Sequence, residues 1–229
     1  MKKKMFFGYF TKGELLLWIS SAALIIISFA IFDRKGYLAL CASLIGATSL
    51  IYSAKGNPIG QVLMIVFSAL YGIISFSFGY YGEMITYLGM TVPMAVLALI
   101  SWIRNPFAGD RSEVRVNKIG RKEIPIMIAL SLIVTAGFYF VLAALNTANI
   151  IPSTVSVATS FIAAYLTYRR SAYYALAYAV NDIVLILLWV LATMRDISYL
   201  SVIICFVTFL VNDVCGFVNW KRMHIRQQE

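Results

Sequence analysis

The chain has 229 residues, 61% of them hydrophobic and 13% charged, with a formal net charge of +9 and a mean hydropathy of +0.84. So apolar a chain cannot hide its surface inside a water-soluble globule; it belongs in a bilayer. The positive charge does not call for nucleic acid, because basic segments facing anionic lipid headgroups account for it and no arginine-aromatic RNA-binding pattern is present.

A membrane-spanning helix needs roughly 20 mostly apolar residues. Eight such stretches can be marked, near 14 to 32, 37 to 54, 57 to 78, 84 to 103, 123 to 145, 151 to 168, 172 to 193 and 198 to 220. The expected fold is therefore an all-α integral membrane protein of eight transmembrane helices. Residues 1–36 form a basic surface segment and a first helix. "MKKKMFF" looks like the charged start of a signal peptide, but the run after it is of spanning length and ends in "AIFDRKG" without a small-residue cleavage site, so the helix is expected to be retained. The mixture of lysines and aromatics before it suits the headgroup surface.

Residues 37–104 contain three spans. On the second of these, Gln61, Met64, Ser68, Tyr71 and Ser75 make a polar-edged face; on the third, Tyr87 and Thr91 lie beside Pro93. Pro93 interrupts its span and marks a kink, where freed carbonyls need partners. Glu83, at the start of that span, reads as a favourable helix-end charge. Residues 105–122 form a basic loop, 123–146 a single linker span, 147–222 three more spans and 223–229 a short tail. Trp102 and Trp220, at span ends, fit interfacial anchors. Cys41, Cys205 and Cys215 lack CxxC spacing or clustered histidines and are expected to be small buried packing residues, without a metal or disulfide.

If the N-terminus is inside and the spans alternate, sixteen basic residues fall to inside segments and three, Arg34, Lys35 and Arg195, to outside ones. That asymmetry predicts both termini on the cytoplasmic side. The chain also repeats itself. "YYGEMITYLGMTVPMAVLALISWIR" and "SYLSVIICFVTFLVNDVCGFVNWKR" end in Trp102 with Arg104 and Trp220 with Arg222, and the same displacement of 118 residues lays Tyr71 over Trp189. Spans 2 to 4 thus resemble spans 6 to 8. One intervening span gives the two groups the same orientation, a parallel repeat, and transporters built this way place their site near the midplane between the halves.

Two Asn-Asp pairs stand out in apolar runs: Asn181 with Asp182, and Asn212 with Asp213. A charge deep in a bilayer costs at least about 2.5 kcal/mol on insertion scales. Tyr174, Tyr178, Asp182, Leu185 and Trp189 follow steps of three or four along one face, with Asn181 at its margin; Phe209, Asn212, Asp213, Gly216 and Trp220 make a second face. Such residues act either as polar glue between helices or as a ligand or ion pathway. Two pairs flanked by aromatics favour the second. Aromatic faces stack on a flat heterocycle or attract a cationic ring, and amides and carboxylates bond ring substituents or sugar hydroxyls, so a nucleoside-sized solute is implied. The first group is gentler, since Met64 and Ala95 stand where the second has Asp182 and Asp213. No GxxxxGK[ST] or HExxH motif is present and His224 is the only histidine, so no cofactor and no catalytic function are expected.

The segments "NPIGQVLMIVFSALYGIISFSFGYYGEM" and "RRSAYYALAYAVNDIVLILLWVLATMRDISYLSVIICFVTFLVNDVCGFVNW" resemble the PnuC-type nicotinamide riboside transporters of bacteria, over about residues 37 to 222. The resemblance implies two parallel three-helix bundles joined by a linker helix, akin to SWEET proteins, with an extra first helix here. It further implies facilitated uptake of nicotinamide riboside or a related nucleoside across the bacterial inner membrane, trapping by a cytoplasmic kinase, and a homotrimer. Of the family's W-x-x-W-x-x-x-N element, the asparagine matches Asn181, the first tryptophan becomes Tyr174, and the second becomes Ala177 with Tyr178 beside it. Substrate contacts are then expected from Asn181, Asp182, Asn212, Asp213, Tyr174, Tyr178 and Trp189, with Gln61 and Tyr71 from the first group. Deoxynucleoside, thiamine or riboflavin transport remains open as an alternative, as does a proton-coupled exporter in which Asp182 or Asp213 cycles a proton, or a scaffold without transport.

Overall fold

A computed structural model describes residues 9–34, 36–77, 81–147, 149–194 and 197–229, without the side chains of 77 and 198. The expectations for Lys2, Lys3, Lys4, Lys35 and Arg195 lie outside these residues. Among the described residues, eight helices are long and apolar enough to cross a bilayer. They are α1 (Lys12–Phe32), α2 (Tyr37–Ala54), α3 (Ile59–Ser77), α4 (Tyr81–Arg104), α5 (Glu123–Ala144), α6 (Ile150–Tyr168), α7 (Tyr174–Thr193) and α8 (Leu200–Arg226). Their bounds follow the expected spans closely, except that α8 continues through most of the expected tail.

Local chemistry sets several helix ends. Thr11 caps α1 through a box in which Thr11 Oγ1 accepts from the Glu14 backbone N–H and Glu14 Oε2 accepts from that of Thr11. Gly56 takes a positive φ of 67° in the tight α2 to α3 turn, a conformation favoured by glycine. In α4 a π-helical turn over Tyr87–Thr91 directly precedes the segment beginning at Val92. Pro93 cannot donate to the preceding turn, and the chain responds by widening: the Val92 N–H bonds to Tyr87 O.

Six helices close a ring, in the order α2, α3, α4, α6, α7, α8 and back to α2. The two contacts that close it, α4 with α6 and α8 with α2, are equivalents under the repeat. The helices α1 and α5 lie outside, α1 against α2 and α8, and α5 chiefly against α6. Trp18 Nε1 donates to Thr48 Oγ1 at 3.1 Å and Lys55 pairs with Glu14 at 3.1 Å, fastening α1 to the ring. Glu123 at the start of α5 accepts from Tyr165 at 3.0 Å and pairs with Arg169.

The basic loop forms a short antiparallel hairpin, β1 (Pro106–Phe107) and β2 (Asp110–Val114), and the strand runs on as a strap beneath the ring. Val114 N–H donates to Gly56 O (2.9 Å), Val116 N–H to Gln227 Oε1 (2.8 Å) and Asn117 N–H to Arg170 O (2.9 Å), so the strap joins both halves. Within the hairpin, Ser112 donates through its backbone N–H and hydroxyl to Asp110, which holds that carboxyl below the usual carboxylate range. The end of the molecule carrying the strap, Lys55, Arg169 and Arg226 is called here the basic face, and the end carrying Tyr81, Asn149 and Met194 the opposite face.

Two expectations are corrected. Trp102 and Trp220 are fully buried rather than interfacial. Each indole N–H donates to a carbonyl of the neighbouring group, Trp102 to Thr167 O at 2.9 Å and Trp220 to Ser53 O at 2.8 Å, and their rings lie 5.3 Å apart. Cys41 and Cys215 are exposed, and only Cys205 is buried; on a spanning helix the outer face meets lipid, where an apolar thiol needs no burial.

Candidate functional site

The ring surrounds a cavity of about 890 Å³, counting the space at its mouth, to which all six ring helices contribute. From α7 come Tyr178, Asn181, Asp182, Leu185 and Leu188; from α8, Phe206, Phe209 and Asp213; from α4, Glu83, Thr86, Tyr87 and Thr91; from α3, Met64 and Phe67; from α6, Ser153, Ser156 and Ser160.

Asn181 is anchored from one side. Its Oδ1 accepts from Thr159 Oγ1 at 2.8 Å and Ser160 Oγ at 2.9 Å on α6, which leaves its Nδ2 as the donor available to a solute. Asp182 and Asp213, each 4% exposed, come within hydrogen-bond reach of each other. Asp182 Oδ2 has no hydrogen-bond partner, although the residue lines the cavity. The aromatic part of the wall is an edge-on cluster: Phe67 meets Tyr87 with centroids 6.2 Å apart and Phe209 at 5.8 Å, while Phe206 meets Phe209 at 5.8 Å.

Toward the basic face the cavity is closed. Tyr174 packs edge-on against Trp220 at 4.8 Å and Trp102 at 6.2 Å, and Leu166, Ala172, Ala175, Val114 and Met223 complete the plug. Toward the opposite face a cleft lined by Tyr81, Asn146, Asn149, Trp189 and Ala192 shares Glu83, Thr147, Ser153 and Leu188 with the cavity.

Of the nine residues expected from sequence, Tyr178, Asn181, Asp182 and Asp213 line the cavity. Asn212 is placed elsewhere: its Nδ2 donates to Ser21 Oγ on α1 at 2.9 Å and to Thr208 O at 2.8 Å, so it fastens α1 to the ring. Tyr174 belongs to the plug. Trp189 packs at a tilt against Tyr199, centroids 5.3 Å apart, and lines the cleft. Gln61 is buried beside Ser53, donating to its hydroxyl at 3.4 Å. Tyr71 sits behind the wall, packed on Tyr87 at 4.7 Å and Phe67 at 5.6 Å. Sequence reasoning placed Phe209 on the inward face of α8 but missed Glu83, Thr86, Phe67, Phe206 and the serines as lining. The serines had a signal, since positions 153, 156 and 160 share one face of α6.

A polar and aromatic cavity between two like-ordered groups of spanning helices, plugged toward the basic face and adjoining a cleft toward the other, defines a multi-pass membrane transporter. The sequence matches the family described as Nicotinamide mononucleotide transporter over residues 36–222, and the chain belongs to that family. It is 25% identical over 228 residues to the "Nicotinamide riboside transporter PnuC" of Neisseria mucosa, covering 96% of this chain and 85% of that one. Its fold is that of a protein solved as "Crystal structure of the Vitamin B3 transporter PnuC", with a TM-score of 0.81, 23% identity, and coverage of 95% of this chain and 94% of that one.

Proposed function

We propose that the protein takes up nicotinamide riboside by facilitated diffusion. The relative from Neisseria mucosa is a nicotinamide riboside transporter by name, and one observation here carries the reading furthest: buried Asn181 and Asp182 both line a cavity walled by aromatics, and the Asn181 oxygen is held by Thr159 and Ser160 so that its amide N–H remains for a solute. Phe67, Tyr87 and Tyr178 line that cavity and offer a pyridinium ring stacking and cation-π attraction, and Asn181, Ser156 and Ser160 line the same space for its ribose hydroxyls. The protein sits in the bacterial inner membrane with the basic face and both termini toward the cytoplasm, in accord with the distribution of basic residues. The cavity then faces outward. Rocking of the two groups against each other separates Trp102 from Trp220 and opens the plug inward, and a cytoplasmic kinase traps the product. A homotrimer is part of the same reading.

Uptake of labelled nicotinamide riboside into reconstituted vesicles is the test. Asn181→Ala and Asp182→Ala are expected to reduce uptake by about tenfold or more, the equivalent of one lost hydrogen bond to a charged group. Intact uptake in both variants would remove the site assignment. Proton-linked transport is a second reading, favoured by the closeness of Asp182 and Asp213, since two carboxyl groups in that geometry can hold a proton between them. It requires uptake to respond to an imposed pH gradient and to collapse with a protonophore.

A further inference from the structure

The strap that crosses the basic face bonds to both groups of helices at once. It continues from the end of α4, where Arg115 N–H donates to Asn105 O at 2.8 Å, and its Val114 N–H donates to Gly56 O of the α2 to α3 turn at 2.9 Å. Those bonds hold it to the first group. The second group takes hold of it through α8 and the α6 to α7 turn. Gln227 Oε1 accepts from Val116 N–H at 2.8 Å, and Gln227 Nε2 donates to Val114 O at 3.0 Å and to Glu113 Oε1 at 2.8 Å, beside an ion pair of Arg226 with Glu113. Asn117 N–H donates to Arg170 O at 2.9 Å, and Arg170 Nε donates in turn to Arg115 O at 3.2 Å.

Arg170 and Gly56 hold equivalent places. Each is the first residue beyond the cap of its helix, Arg169 on α6 and Lys55 on α2, and each has a positive φ, 55° and 67°. Glycine meets that conformation freely, whereas an arginine there is strained and calls for a reason. Its guanidinium supplies one: besides reaching the strap, it donates from Nη1 to Ser101 Oγ on α4 at 2.6 Å, so one side chain links the second group to the strap and to the first group. Val114 of the strap is fully buried in the plug with Trp102, Ala175, Trp220 and Met223. Opening the plug requires α4 to part from α6 and α8 from α2 at this end, and a strand bonded to both groups cannot keep both sets of bonds as they part.

We propose that the strap is a latch on the plug: it stays with the first group, and the bonds made by Arg170 and Gln227 break each time the cavity opens toward the basic face. The strap is tied to the first group by the chain itself and by two backbone bonds, while its hold on the second depends largely on the Arg170 and Gln227 side chains. The continuation of α8 beyond its expected span thereby has a use, since it delivers Gln227 to the strap. The inference rests on the rocking motion proposed above and adds to it the device that holds the state closed toward the basic face.

Ala175, fully buried in the plug, reports on its opening. In a chain carrying Cys41→Ser, Cys205→Ser, Cys215→Ser and Ala175→Cys, a water-soluble maleimide should label the solubilised protein slowly at temperatures far below its thermal midpoint. Adding Gln227→Ala should speed labelling by roughly three- to tenfold, the effect of taking one or two hydrogen bonds from the closed state. Arg170→Gly, which suits the left-handed turn and removes only the guanidinium, should do the same. A lower thermal midpoint with unchanged labelling in both variants gives the strap a purely structural part and overturns the inference. The converse experiment ties the latch. In the chain with the three serine replacements, Val116→Cys and Gln227→Cys joined by a short cleavable thiol cross-linker should lower uptake of nicotinamide riboside into proteoliposomes by about tenfold or more until the linker is cut. Complete cross-linking without effect on uptake overturns the latch as well. Absence of uptake in every variant, the unmodified chain included, sinks the uptake function instead, and the labelling rates, which need no solute, then decide the latch alone.

Discussion

Asn212 and Asp213 are neighbours with opposite duties. About 100° of helical rotation separates them, so one turns to Ser21 of α1 while the other turns to the cavity. Replacing Asn212 with Ala should therefore weaken the attachment of α1, by about 0.6–1.7 kcal/mol on the scale of interhelical polar contacts in membranes. Thermal unfolding of the solubilised protein should show a lower midpoint, while the concentration dependence of uptake should match the wild type. Asn181 is the contrasting case, because its removal strips the cavity of a donor and leaves Thr159 and Ser160 without their shared acceptor. Sequence pattern could not separate these two asparagines. Each sits beside an aspartate in an apolar run, and only the neighbour that meets it distinguishes glue from site. The serines of α6 were obscured for a related reason. A hydroxyl in a membrane helix can turn back on its own backbone, as Ser156 does to Ser153 O at 2.8 Å, so a serine stripe alone points nowhere.

At the level of single elements, α4 shows how one residue reshapes a wall. Pro93 removes a donor, and the π-helical turn before it re-aims Tyr87 and Thr91 at the cavity, where Thr91 Oγ1 also donates to Thr86 O at 3.3 Å. Such turns recur at functional sites in helices. Pro93→Ala restores the amide and allows a regular α-helix through this stretch. The expected outcome is a thermal midpoint equal to or above the wild type with a several-fold loss of uptake; unchanged uptake would show that the wide turn serves no purpose in the site. The interruption was legible in the sequence. Its consequence was not, because a proline can be relieved by a bend, a widened turn or a bound side chain, and the packing of α4 on α3 and α6 decides among them.

The ring as a whole repeats its contacts as its sequence repeats. Trp102 and Trp220, displaced by 118 residues, make equivalent bonds to Thr167 O and Ser53 O from opposite sides of one plug. Trp220→Phe keeps most of the ring packing and removes the N–H, leaving the Ser53 carbonyl unpaired at a cost of about 1–3 kcal/mol. The thermal midpoint should fall, and a dye confined to the basic face of oriented vesicles should quench more readily through the loosened plug. An unchanged midpoint and dye signal would mean that the plug is held by packing alone.

The sequence by itself determined that eight helices cross a bilayer, roughly where each begins and ends, and that two groups of three share one pattern. Transfer of apolar residues from water to lipid is summed along contiguous stretches of chain, so those properties need no knowledge of neighbours. Tertiary structure alone decided which faces meet. A residue one step along a helix points about 100° away, and only the arrival of α1, α3, α4 and α6 around α7 and α8 turned Asp182, Asp213 and Glu83 toward one hollow and Asn212, Tyr174 and Trp220 away from it.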